Sequence, residues 1–219
     1  MSDLLSRVIP LSIGAAISPA VLAVIVVVLG GRRAVARGAV FTAGVLTVLV
    51  GLTVSGLLIS HQSHPSPERV RITHDVSGLL GVLLLCLAII TILRSRTHSD
   101  TGAPVHTSDP AADRGLVAMY VLGFGLMISN LSSIVLYLPA MHAISDAGVS
   151  GEDRVLAVAI ALLITSVPAT VPLLLRIALP RRSGPIFATV NRFVTSHSRA
   201  ITVTVEVGFG VYLVVRAFR

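Results

Sequence analysis

The chain has 219 residues, 54% of them apolar and 12% charged, with a formal net charge of +7 carried by seventeen arginines and no lysine. Six uncharged runs near membrane-crossing length place it among polytopic membrane proteins and argue against a soluble domain. The basic balance does not point to nucleic acid, because the arginines are scattered through short loops, form no stripe and have almost no aromatics beside them for base stacking.

Segment one runs from about Leu4 to Leu29. Within it, Val8 to Gly31 is 24 residues without a charge, enough for a spanning helix, yet Ile17-Ser18-Pro19-Ala20 interrupts it at mid-depth. Proline removes a backbone donor and pushes away the carbonyl one turn earlier, so Pro19 predicts a broken helix with polar groups freed inside hydrocarbon. The run is longer than a secretory apolar core, has no clear small-x-small cleavage site and is followed by another apolar run, so it reads as a retained helix. Arg32, Arg33 and Arg37 close it, and segment two follows from Gly38 to Ser60.

His61 to Asp75 holds Pro65 and Pro67 with His61, His64 and His74, and reads as a polar loop. The histidine spacing fits no common ligand signature, so no metal is expected there or elsewhere. Segment three, Val76 to Leu93, opens with Ser77, Gly78 and Gly81, small side chains that admit a close neighbour. Cys86 lies in this run as the single cysteine, which excludes an intramolecular disulfide and Cys-x-x-Cys chemistry and leaves a small packing residue. Residues 94–114, rich in Ser, Thr, Asp, Pro and Gly, form a flexible connector between two halves, 1–93 and 115–219.

Segment four lies in the 31 uncharged residues from Gly115 to Ser145, more than a bilayer requires, with a break expected at Ser129-Asn130. Segment five, about Val155 to Leu179, carries Pro168 and Pro172 on one face and predicts a second interrupted helix. Between Arg181 and Arg199 the spacing of Ile186, Phe187, Val190, Phe193 and Val194 fits a short helix on the membrane surface or a cap packed on the bundle. Segment six runs from Ala200 to Phe218.

The organisation is therefore all-α: six transmembrane helices in two three-helix halves. Three crossings per half turn the second half upside down relative to the first, and Ile17-Ser18 recurs as Ile128-Ser129. Eleven arginines fall on the side of the loops after segments one, three and five and six on the other, which predicts extracytoplasmic termini.

Glu206 is the acid well inside an apolar run, a candidate for carrying a coupling proton, with an interfacial or arginine-paired residue as the structural alternative. Ser18, Pro19, Ser129, Asn130, Pro168 and Pro172 are candidate walls of a midplane substrate site; Arg176 either snorkels to the headgroups or meets an anionic substrate. Nothing resembles a nucleophile-base pair, a phosphate-cradling glycine loop or a metal site, so no enzyme activity and no cofactor is expected.

Ile9-Pro10-Leu11-Ser12-Ile13-Gly14-Ala15-Ala16-Ile17-Ser18-Pro19, the arginine-rich turn, and Gly38 through Phe41-Thr42-Ala43-Gly44 resemble the opening of the GAP family, also called the Sap or sulfolipid-addressing family, within the lysine-exporter superfamily. The likeness continues through a Gly-x-x-Leu pattern in segment three, Ile128-Ser129-Asn130 and Ser166-Val167-Pro168-Ala169, and covers nearly the whole chain. Family members show Asn-Pro in segment four, whereas Asn130 is followed by Leu131-Ser132-Ser133, which predicts a gentler second break. The resemblance implies two inverted halves and movement of lipids or glycolipids across a bacterial plasma membrane. The leading expectation is export or flipping of an amphipathic, anionic lipid-like substrate by alternating access. The alternatives are export of a small solute such as an amino acid or cation, and a non-transporting assembly partner of an envelope-lipid export machine. Small residues on several helices would permit a homodimer, and nucleic acid is not expected as a partner.

Overall fold

A computed structural model describes residues 1–31, 33–61, 79, 81–92, 115–180 and 182–217, and among these every regular element is a helix. Helix α1 covers Ser2–Ala16, α2 Pro19–Gly30, α3 Ala34–His61, α4 Gly81–Ile92, α5 Leu116–Ser129, α6 Leu131–Asp146, α7 Gly151–Ala178 and α8 Ser183–Ala217. The polar loop after His61 and the connector at 94–114 lie outside the described residues.

The first break follows from three neighbouring residues. Ile17 (φ −76°, ψ 81°) ends α1, and Ser18 is extended (φ −121°, ψ 94°), as expected of a residue before proline. Pro19 then stands first in α2, where its missing N–H costs nothing, and the Ser18 hydroxyl caps the new helix by accepting from the Val21 amide at 3.4 Å. The two helices meet at 55°.

The second break uses no proline. Asn130 alone (φ −84°, ψ 72°) separates α5 from α6, and the bend is 73°, steeper than the first. The expectation of a gentler break is therefore overturned. One residue outside helical backbone angles turns the chain as sharply as proline does, provided something else binds its side chain.

Segment five corrects a second expectation, since α7 runs unbroken from Gly151 to Ala178 through Pro168 and Pro172. The Ser166 and Thr170 hydroxyls donate back to the carbonyls of Leu163 and Ser166, and Thr42 of α3 donates to Ala169 O, so polar bonds surround the prolines without interrupting the helix. Nor does a separate surface helix precede segment six: Ser183–Ala217 is one continuous helix of 35 residues.

Among the described residues three helices, α3, α7 and α8, are long and apolar enough to cross a membrane, and the two bent pairs raise the number of candidate spans to five. Only Leu79 and Gly81–Ile92 of segment three are described, a helix shorter than a crossing. Large aliphatic side chains face outward along these helices, among them Val117, Val155 and Leu163, as expected where lipid is the solvent. Among its described residues the chain is an all-helical membrane protein.

Backbone-close crossings hold the bundle together. A Cβ on Gly123 would strike the backbone of Phe41, and one on Gly44 the backbone of Tyr120, so α3 and α5 touch as only glycine allows. Gly81 of α4 meets Gly210 and Val214 of α8 in the same manner. Helix α1 packs between α6 and α7, and α2 lies against α7 and α8, which brings both breaks to the middle of the molecule.

Candidate functional site

The two breaks touch. Asn130 Nδ2 donates to Ser18 Oγ at 2.7 Å, joining positions 112 residues apart. Because Pro19 has no N–H, the carbonyl of Ala15 loses its usual helical partner, and the Ser133 hydroxyl of α6 takes that place at 2.8 Å. The second half of the chain thus satisfies groups that the first break sets free.

Two concavities open beside this junction and share Ile17 as a wall. The smaller, a notch of about 210 Å³, is polar in part: Ser18, Ser129, Asn130, Ser132 and Thr202 line it together with Pro19. Ser18 Oγ already accepts two bonds, so its own proton remains to be donated, while Asn130 offers a carbonyl oxygen. No arginine, histidine or acid is among the notch lining. This surface can hydrogen-bond a polar group in both senses without supplying a charge.

The larger concavity is a groove of about 550 Å³, within the range of about 300–1,000 Å³ usual for small-molecule sites. Its lining is apolar, from α1 and α2 (Ile13, Val26), α7 (Pro168, Pro172) and the start of α8 (Phe187, Val190). The prolines' flat rings, on consecutive turns of one face, form part of its wall. Polar notch and apolar groove adjoin across one isoleucine.

The expected site residues therefore separate. Ser18, Pro19, Ser129 and Asn130 come together in the notch, Pro168 and Pro172 in the groove, and Arg176 lines neither. Arg176 Nη1 donates to Pro180 O and to Ser183 Oγ, both at 2.9 Å, and so ties the end of α7 to the start of α8. Glu206, 3% exposed, accepts from Ser132 Oγ at 2.7 Å and from Thr91 Oγ1 at 3.4 Å, one hydroxyl away from the notch.

Ser132, Thr91 and Thr202 escape a reading of the sequence as site residues: Thr91 is a lone hydroxyl inside an apolar run, while Ser132 and Thr202 stand near other hydroxyls, Ser133 and Thr204, that do not line the notch. Phe187 and Val190 are expected on the apolar face of a surface or capping helix and not at a site, because their wall forms only once α8 folds back on α2. Among the described residues no group of three His, Cys, Asp or Glu could hold a metal.

No curated protein and no solved structure matches this chain. Residues 8–218 match the family described as Sap, sulfolipid-1-addressing protein. With that match over almost its whole length, and with two broken helices meeting at a polar notch beside an apolar groove, the chain belongs to the sulfolipid-1-addressing protein family.

Proposed function

We propose that this protein is a transporter, not an enzyme, which exports or flips a lipid, glycolipid or similar amphipathic molecule across the plasma membrane by alternating access. The head group sits in the notch between Ser18 and Asn130, and an acyl chain lies in the groove along Pro168 and Pro172. The observation that carries this reading is the meeting of the two concavities at Ile17. An amphipathic molecule needs both surfaces within one molecular length, whereas a small polar solute would use the notch and leave the groove without purpose. The family description, which names the addressing of a sulfolipid, supports the same substrate class.

The packing also supports two inverted halves of three crossings, the architecture expected of the lysine-exporter superfamily. Helix α3 meets α5 as α7 meets α1, α3 meets α6 as α7 meets α2, and α3 meets α7 at the centre. The groove extends from the break toward the ends of α2 and α7 and the start of α8, the end that carries Arg33, Arg176 and Arg182. By the positive-inside rule this end is cytoplasmic, so substrate is taken from the inner leaflet and moved outward.

Purified protein in liposomes, with an acyl-labelled fluorescent phosphatidylethanolamine as probe and a membrane-impermeant quencher outside, tests the reading. The protein accelerates exchange of the probe between leaflets, and Val171→Trp, which fills the groove from α7, slows it at least tenfold. Equal exchange in protein-free liposomes would overturn the proposal.

A further inference from the structure

Glu206 is the one acid among the described buried residues, and its surroundings hold more than a packing role requires. Its carboxylate gathers hydroxyls from two other helices, Ser132 of α6 and Thr91 of α4. It stands beside the first turn of α6, where unpaired backbone amides favour negative charge. Helix α4 has no charged residue, and on α6 the charged groups His142 and Asp146 pair with each other at 3.2 Å near its other end. On α8 the nearest charged residue toward the N-terminus is Arg199, exposed and two turns away. Among the described residues no cation pairs with the carboxylate.

Ser132 gives the arrangement its second property, since its hydroxyl both lines the notch and donates to Glu206 Oε1. A proton from water in the notch can pass to the carboxylate as Ser132 gives up its own proton and accepts another. Ionised, Glu206 holds α4, α6 and α8 together at the residue after next from the Asn130 break. Neutralised, it loses its strength as an acceptor and loosens the first turn of α6 at the point where that helix must pivot.

We propose that Glu206 is the proton-carrying group of this protein, taking up a proton on one side of the membrane and releasing it on the other, so that lipid movement is driven by the proton gradient. This rests on the transporter reading above.

Two measurements on the full chain separate the proposals. In liposomes at zero membrane potential, with the same fluorescent phosphatidylethanolamine, the wild type moves probe at least fivefold faster under an imposed pH gradient than without one. In E206Q that ratio falls to one whatever the basal rate, and E206D recovers it in part. An E206Q protein that responds to the gradient as the wild type does, or a wild type that moves probe without responding, overturns the proposal. If no probe moves at all, the transporter reading fails, and infrared difference spectra still decide Glu206. A buried carboxylic C=O band that appears on acidification and is missing in E206Q supports a proton site, and its absence from the wild type contradicts one. Circular dichroism and gel filtration establish that each variant is folded.

Discussion

Two helix pairs that the proposed inverted halves make equivalent differ in how they are closed. Between α2 and α7 lies the groove of about 550 Å³, walled by aliphatic side chains and two prolines. Between α6 and α3 the equivalent seam is shut: Tyr137 and Met141 are fully buried, Tyr137 Oη and Thr53 Oγ1 are 2.7 Å apart, and Met141 presses on Gly56. The same arrangement of helices is open at the arginine-rich end and bolted at the opposite end. What separates them is side-chain volume and one buried hydrogen bond, small terms that the proposed alternating access would exchange.

The largest effect is expected from wedging the closed seam. At Gly56 a Cβ would come within 2.8 Å of the Met141 Cβ, so Gly56→Leu overpacks the contact and costs roughly 1–3 kcal/mol, read as a lower midpoint of thermal unfolding in detergent. Next comes the open seam, where Val171→Trp fills space without crowding a neighbour, leaving the unfolding midpoint near that of the wild type while lipid exchange slows at least tenfold. The pair of results sharpens the contrast, since one seam responds in stability and the other in transport. Equal loss of stability in both would break it.

Smaller effects are expected at the hydrogen bonds. Asn130→Ala removes the contact between the breaks, worth roughly 0.6 kcal/mol and at most about 1.7 kcal/mol for polar contacts between membrane helices, and lowers the unfolding midpoint accordingly. Tyr137→Phe removes only the bolt and keeps the ring, so its cost is about 0.6 kcal/mol or less. Its signature is faster labelling by a soluble thiol reagent of Met141→Cys, fully buried on the same seam, in a Cys86→Ser background, relative to the same protein with Tyr137 intact.

The first break was legible because Ser18-Pro19 states its chemistry locally: a cap, a residue forced out of helical angles and a ring that suits the first helical position. Pro168 and Pro172 carry the same residue type without a cap before them, and the helix passes through. Proline alone is thus a poor sign of interruption, and a Ser-Pro pair with a preceding non-helical residue is a better one. Asn130 announced the place of the second break and not its angle, which depends on Ser18 waiting across the interface. Of the groove only Pro168 and Pro172 were legible as walls; its shape was not, because Ile13, Pro168 and Phe187 become neighbours only through the packing of three distant segments. Arg176 could be read as a site residue because its charge at a helix end has several uses; in the structure its Nη1 donates to the Pro180 carbonyl and to Ser183 Oγ.

The contact between the breaks can be tested by locking it. In a Cys86→Ser background, Ser18→Cys with Asn130→Cys places two thiols where a 2.7 Å hydrogen bond now stands. A disulfide forms in native membranes on mild oxidation, lipid exchange in liposomes stops, and a reductant restores it. Failure of the pair to cross-link, or full exchange by the cross-linked protein, would contradict the account.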